Sequence, residues 1–502
     1  MLKIRIQPTG AAQTSEVDAL ALAVLDPPSI QGLSETLDGA LDGRLTALCD
    51  SKELKGARGK LLSTHTHGLL AATRLCVAGL GKPDKLDSDA LRTAAARGVA
   101  ATRAANGTRI AWYIDPELDL PVAEQARALT EGTALSIYDA GAWKTVDPRP
   151  KPIAELVLIG DGLDEGLEAA ERAAKVCHWA NHTRRLVDAP ANEITPEALA
   201  EDATRIANEH DGLECEIWGP DEIRSADMGA FAAVGQASVN EPRMIVLRWS
   251  GPGAAEEPLL GLVGKGITFD TGGISIKPAA RMADMKGDMA GAAAVLGAMG
   301  AIAALGVPVS IIAVIAASEN MLDGKAYRPG DILTARNGKT IEVTNTDAEG
   351  RLVMADALTY CREQGATHML DLATLTGAVV TALGDFYAGL MGNDQTWVDT
   401  VAAAASESGD HAWQLPMHST YRRHIGSTYA DFKNSSDIRA AGSIYAASFL
   451  SEFTGDGPWA HLDIAGTGHL DRSRGDYYTG AGATGYGVRL LVELASALAE
   501  PA

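Results

Sequence analysis

The sequence predicts an α/β protein of two domains, each a mostly parallel sheet flanked by helices, with the C-terminal domain the larger. Three observations predict it. Short, nearly continuous apolar runs alternate with helical stretches along the chain, the pattern of strands covered on both faces by helices. The 502 residues exceed what one hydrophobic core usually organises. A stiff, proline-punctuated run, Asp147-Pro148-Arg149-Pro150-Lys151-Pro152, cannot lie within a helix or central strand and is followed by one long Ala- and Glu-rich helical stretch. The domains therefore read as 1–162 and 188–502, joined by a linking helix at 163–187.

In the first domain Met1-Leu2-Lys3-Ile4-Arg5-Ile6 alternates apolar and basic residues as a strand does, and further strands are predicted at 20–25, 74–80, 110–114 and 156–160, with helical sequence at 87–105. After the linking helix, Thr195-Pro196-Glu197 offers an N-cap and a proline at the first helical position. Parallel-type strands follow at 244–249, 259–263, 309–315 and 369–372, and helices at 287–305, 348–363 and 485–497. In such sheets ligands gather at the carboxyl ends of the strands.

Composition removes several function classes. A formal charge of −22 repels phosphate backbones and anionic lipid, so a nucleic-acid partner is not expected. Residues 290–318 carry no charge over a length that could span a bilayer, but Gly306-Val307-Pro308 interrupts them. They read as a buried helix followed by a central strand, with no membrane role. The five cysteines are widely spaced and form no C-x-x-C pair, as expected of reduced core thiols. The N-terminus has no long apolar run of the signal-peptide type, so a cytoplasmic location is expected.

Four segments carry polar residues just after predicted strands. Asn345-Thr346-Asp347-Ala348-Glu349-Gly350-Arg351-Leu352 places Asp347, Glu349 and Arg351 at two-residue spacing, which on an extended chain lines one face. Gly264-Lys265-Gly266-Ile267-Thr268-Phe269-Asp270-Thr271-Gly272-Gly273, with Lys277 beyond, lacks the glycine and the Ser or Thr of a phosphate loop. Asp288 opens the buried helix, where it could serve as a plain N-cap, and Ala373-Thr374-Leu375-Thr376-Gly377 follows the strand at 369–372. Converging four carboxylates, Asp270, Asp288, Asp347 and Glu349, would raise their pKa values through like-charge repulsion. Two divalent cations bridged by the carboxylates would relieve that repulsion. A simple Lys265–Asp270 salt bridge is the alternative for that lysine.

On these residues the chain resembles the leucyl aminopeptidases, cytosolic two-metal exopeptidases whose signature Asn-Thr-Asp-Ala-Glu-Gly-Arg-Leu stands unchanged at 345–352. The resemblance extends to the motifs beginning at Gly264, Met285 and Ala373, to Pro458-Trp459-Ala460-His461-Leu462-Asp463-Ile464-Ala465-Gly466 and to Ala483-Thr484-Gly485-Tyr486-Gly487-Val488-Arg489. It covers about 185–498, while the first 160 residues are similar only in layout. Thr271 stands where the family usually has Ser, and Gly468-His469-Leu470 departs from common members.

The resemblance implies one metal on Lys265, Asp270, Asp288 and Glu349, and a second on Asp270, Asp347 and Glu349, the ions being Zn²⁺ or Mn²⁺ with Co²⁺ and Mg²⁺ tolerable. It implies catalytic roles for Lys277, in polarising the peptide carbonyl, and for Arg351, in holding a bicarbonate that acts as general base. Met285, Thr374 and Gly377 would line the pocket for the first side chain, and Leu375 would offer its carbonyl. Peptides with a free N-terminus, Leu and other apolar residues preferred, are the implied substrates, and a homohexamer the implied assembly. A two-metal deacylase of N-acylated amino acids and a non-enzymatic regulatory role are the other classes.

Overall fold

The computed structural model describes residues 1–146, 151–255 and 257–499, and element counts refer to these. Most of the proline-punctuated run, 147–150, lies outside the described residues. The chain forms two compact units, Met1–His178 with Asp471–Ala481, and Trp179–Leu470 with Gly482–Ala502. The boundary falls inside the helix Asp164–Asp188.

The first unit holds a six-stranded sheet in the order Lys3–Gln7, Glu155–Ile159, Arg109–Tyr113, Ala19–Leu25, Arg74–Gly81, Leu61–His65. Every neighbouring pair is parallel except the last. Leu20, Leu22, Val77, Val157 and Ile159 share one buried cluster with Leu37 and Leu45 of two short helices and with Leu41 between them. Asp87 caps the helix Ser88–Ala104 by accepting from Ala90 N at 2.7 Å.

The second unit holds an eight-stranded sheet, ordered Ala412–Gln414, Ala388–Gly392, Trp459–Asp463, His368–Ala373, Leu259–Asp270, Ser310–Asn320, Arg243–Ser250, Leu213–Trp218. Its four central strands, from Trp459–Asp463 to Ser310–Asn320, run parallel. Arg243–Ser250, expected to be parallel, pairs antiparallel with Ser310–Asn320. Its apolar run reflects burial of Met244 to Leu247, not strand direction.

Two strands are longer than their apolar runs. Leu259–Asp270 continues beyond the predicted 259–263 through the Gly264-Lys265-Gly266 segment, and Ser310–Asn320 continues to a fully buried asparagine. Their register shifts near the end: Ser318 pairs with Ile267, but Glu319 pairs with Phe269.

The helix Ala290–Leu305 is apolar all round and lies against the central strands, with Ala292 to Ala301 buried. Together with the 3₁₀ turn Met282–Gly287 it is long and apolar enough to cross a membrane, yet most of it is buried inside the protein. The contact with the sheet depends on small residues. A Cβ on Gly291 would stand 2.1 Å from the Leu372 carbonyl oxygen. Burying each Leu, Ile or Val of this layer contributes about 1.5–3 kcal/mol, so the sheet ends are held on a stiff platform.

Candidate active site

The polar residues collect at the carboxyl ends of the parallel strands. Lys265, midway along the strand Leu259–Asp270, is buried and donates to Asp288 Oδ1 at 2.9 Å and to the Thr374 carbonyl at 3.0 Å. Its Nζ also lies 2.9 Å from Glu349 Oε1. The alternative of a Lys265–Asp270 ion pair is not what forms. Asp270 instead meets Lys277, whose Nζ lies 2.9 Å from Asp270 Oδ2 and 2.6 Å from Asp347 Oδ1.

The signature segment is not extended. Asp347 lies in a turn and Glu349 has helical backbone angles immediately before the helix Gly350–Glu363. Asp347 and Glu349 converge all the same, because the turn brings them to Asp270, with ligand-type oxygens of the three within 4.8 Å of one another. Arg351 departs from the expected common face. It sits in the helix, buried, with Nη1 donating to the Asn434 carbonyl at 2.8 Å and its guanidinium 5.5 Å from the centre of the Tyr445 ring.

Asp288 is not the N-cap of the buried helix, a position held by Met289. Its carboxylate turns to the cluster and accepts from Lys265 and, at 2.7 Å, from Thr374 Oγ1. Thr374 thus joins the cluster directly. Leu375 and Gly377 follow it on the same loop, with Gly377 exposed, and half-buried Met285 accepts from Asp288 N through its carbonyl at 3.3 Å.

The electrostatics follow from burial. The Asp288 carboxyl is pushed up to about 8 by desolvation, with Glu349 and Asp270 adding to it against the pull of Lys265. Asp270 rises to about 6 for the same reasons, burial first and then Glu349. Burial opposes the charge of Lys265, but Asp288, Glu349 and Asp270 outweigh it and hold the ammonium above its ordinary value. Glu349 lies below its ordinary value, since Lys265 and Lys277 overcome its desolvation. Burial lowers the Arg351 guanidinium.

Supporting residues outside the sequence reading lock this arrangement. Asn320 Nδ2 donates to Asp270 Oδ1 at 2.8 Å and to the Thr346 carbonyl at 2.9 Å. Tyr327 donates to the same carbonyl at 2.8 Å. A buried amide at the end of an apolar strand was the available signal for Asn320. Gly272, at φ +85°, takes a left-handed conformation, and a Cβ there would stand 2.7 Å from Asp347 Oδ1.

The donor set fits divalent metal. Glu349 Oε2 is buried without a hydrogen-bond partner, while Asp288 Oδ2 and Asp347 Oδ1 are paired with lysine ammonium groups at 2.8 and 2.6 Å. A buried carboxylate oxygen without a partner carries a cost that a hard cation removes. Two lysines face four carboxylates here, so negative charge remains in excess when all are ionised.

The profile of the cytosol aminopeptidase family, catalytic domain, matches residues 181–492, and that of the same family's N-terminal domain matches 21–146. The chain belongs to the cytosol aminopeptidase family. It is a metal-dependent hydrolase that removes residues from the N-terminus of peptides. Probable cytosol aminopeptidases of a Geobacter species and of Roseiflexus castenholzii are 43% and 44% identical over 462 and 459 residues. These alignments cover 91% and 90% of this chain and 93% of each relative. Among solved structures, a mutant of tomato leucine aminopeptidase is 33% identical with a TM-score of 0.89, covering 99% of this chain and 97% of that one. The bottromycin maturation enzyme BotP in complex with Mn is 31% identical with a TM-score of 0.85, covering 96% of this chain and 100% of its own. The two-domain α/β architecture of the aminopeptidase is shared over nearly its whole length with these structures.

Proposed function

We propose that this aminopeptidase uses two divalent ions and prefers Leu and other apolar N-terminal residues. The observation that carries the reading is the meeting of Asp270, Asp347 and Glu349 within 4.8 Å, beside Lys265 and Asp288. One ion would be held by Lys265, Asp270, Asp288 and Glu349, the other by Asp270, Glu349 and Asp347 through its side chain and main-chain carbonyl. When bound, such a pair supplies an activated water and Lewis acidity at the scissile carbonyl. An all-oxygen set with one amine suits Zn²⁺ or Mn²⁺, and tolerates Co²⁺ and Mg²⁺.

The chain's own groups have distinct tasks. Lys265 must give up a proton before its nitrogen has a lone pair to offer. Lys277, partly exposed at the end of a long rotatable stem, can leave Asp270 and Asp347 for the oxygen of the substrate carbonyl and donate to it as negative charge develops there. Arg351 would hold bicarbonate as general base; its Nε is buried without a hydrogen-bond partner, which leaves a donor for an anion. Met285, Thr374 and Gly377 would line the first side-chain pocket, and the Leu375 carbonyl would accept from the substrate. A pocket of this kind discriminates one methylene only modestly. A cytoplasmic homohexamer is part of the same reading.

The deciding experiment compares leucine p-nitroanilide with its N-acetyl form, after chelation and with or without added Mn²⁺. The reading expects metal-restored turnover of the free amine alone. Equal or faster cleavage of the acetylated substrate would replace it with a deacylase.

A further inference from the structure

We propose that Asp463 is a positioning residue that clamps the loop Thr374–Gly377 over the site. Asp463 ends the central strand Trp459–Asp463, beside Ala373 of the neighbouring strand, and is wholly buried. Its carboxylate is spent on the loop and its own turn. Oδ1 accepts from the backbone N–H of Leu375 at 3.2 Å, Thr376 at 3.3 Å and Ala465 at 3.3 Å. Oδ2 accepts from Thr376 Oγ1 at 2.5 Å.

Thr376 extends the clamp in two directions. Its hydroxyl oxygen lies 2.8 Å from Ser443 Oγ and accepts from Val379 N at 3.3 Å, capping the helix Gly377–Leu383. One residue before the clamped amides, Thr374 receives the Lys265 ammonium on its carbonyl and donates its hydroxyl to Asp288. A single buried carboxylate therefore fixes the segment whose one end steadies Lys265 and Asp288, and whose other end opens the short helix. Buried, charge-assisted bonds of this type are stronger than neutral ones and permit little play. The functional part of the inference rests on the reading that Thr374, Leu375 and Gly377 line the substrate site.

The test uses the full chain with saturating Mn²⁺, and measures amide exchange at Leu375 and Thr376 alongside KM and kcat for leucine p-nitroanilide. Asp463→Ala is expected to lose the amide protection and raise KM about tenfold while kcat changes about threefold or less. Asp463→Asn, which keeps an acceptor for the three N–H groups, is expected to restore most of both. Unchanged protection and KM in a folded Asp463→Ala would overturn the proposal. Lost protection with an unchanged KM would uphold the clamp and overturn the substrate-binding reading of the loop. Should Asp463→Ala fail to fold, Thr376→Val removes the Oδ2 contact, together with the hydroxyl's contacts to Ser443 Oγ and Val379 N, and leaves the three N–H bonds to Oδ1 in place. Ser443→Ala, which removes one of those other contacts, serves as the control. A rise in its KM of about threefold supports the clamp, and no change overturns it.

Discussion

Lys265 Nζ lies 2.9 Å from Glu349 Oε1, with both side chains almost entirely buried. An ion pair in that setting has lost its water, and its mutual attraction offsets the desolvation only while each partner is present. The pair therefore holds the site in shape, and on the proposed reading it is broken in part when the lysine nitrogen takes a cation.

Metal uptake should accordingly release protons. Burial first, and then neighbouring charge, pushes Asp270 to about 6 and Asp288 to about 8, while Lys265 is held protonated. Apparent affinity for Mn²⁺ or Zn²⁺ should rise steadily from about pH 5 to 8. Titration calorimetry in two buffers of different ionisation enthalpy should show at least one proton released at pH 7. Turnover should follow to the alkaline side; a rate maximum near about pH 5 would contradict this.

The same shifts set the stability of the chelated protein. A carboxyl whose folded value is raised binds its proton more tightly folded than unfolded, so its contribution falls as pH climbs from the unfolded value of 3.8 through about 6 for Asp270 and about 8 for Asp288. Glu349, held low, contributes in the opposite sense, its share present above its unfolded value of 4.5 and lost on acidification. Thermal melts of the chelated protein should drop between about pH 5 and 8, and added metal should reverse the drop.

Glu349→Ala removes the carboxylate proposed to bridge both ions and leaves Lys265 with Asp288 and the Thr374 carbonyl. Metal content by mass spectrometry and turnover should both fall to background. Lys277→Ala, by contrast, should keep its metal and lower kcat about 100-fold or more, the usual size of an oxyanion contact. Near-normal activity in either variant would contradict its assigned role.

Gly350→Ala should disturb the site while sparing the helix. A Cβ there would stand 2.5 Å from Lys265 Cε and 2.6 Å from its Nζ. The helix should persist, the melt should fall because the buried pair with Glu349 is broken, and metal retention should collapse as Lys265 is turned away.

Asn320→Ala should loosen the metal without removing a ligand. It deletes the donor to Asp270 Oδ1 and the tie to the Thr346 carbonyl. Loss of an orienting partner of this kind weakens metal affinity roughly 10–100-fold, measurable by competition with a chelator.

The apolar runs at 244–249 and 309–315 located strands because a buried strand must be apolar, and Thr195 and Pro196 marked a helix start that formed, with Thr195 capping Ala198 N at 3.2 Å. Strand direction was not legible at Arg243–Ser250, since burial alone sets its composition. The converging carboxylates were legible as residue types, but not through the geometry first assigned to them. Periodicity describes regular backbone, and Asp347 and Glu349 meet through a turn at a helix start. Asn320 is not legible because the apolar run ends at Ile315, five residues before the strand does.

The register shift at the end of the strand Leu259–Asp270 has a bearing on which insertions and deletions the site can survive. Lys265 and Asp270 are separated by an odd number of positions, which on an unbroken pleat would aim them at opposite sides of the sheet. Thr268, skipped between the pairs Ser318 with Ile267 and Glu319 with Phe269, resets the parity so that both reach one cluster. Removing a single residue between them while the bulge is kept would leave the hydrophobic half of the strand untouched and turn the acid away from the lysine. Removing Thr268 itself would leave an even spacing on a regular pleat and keep both on one side, so the bulge and the residue count can change only together.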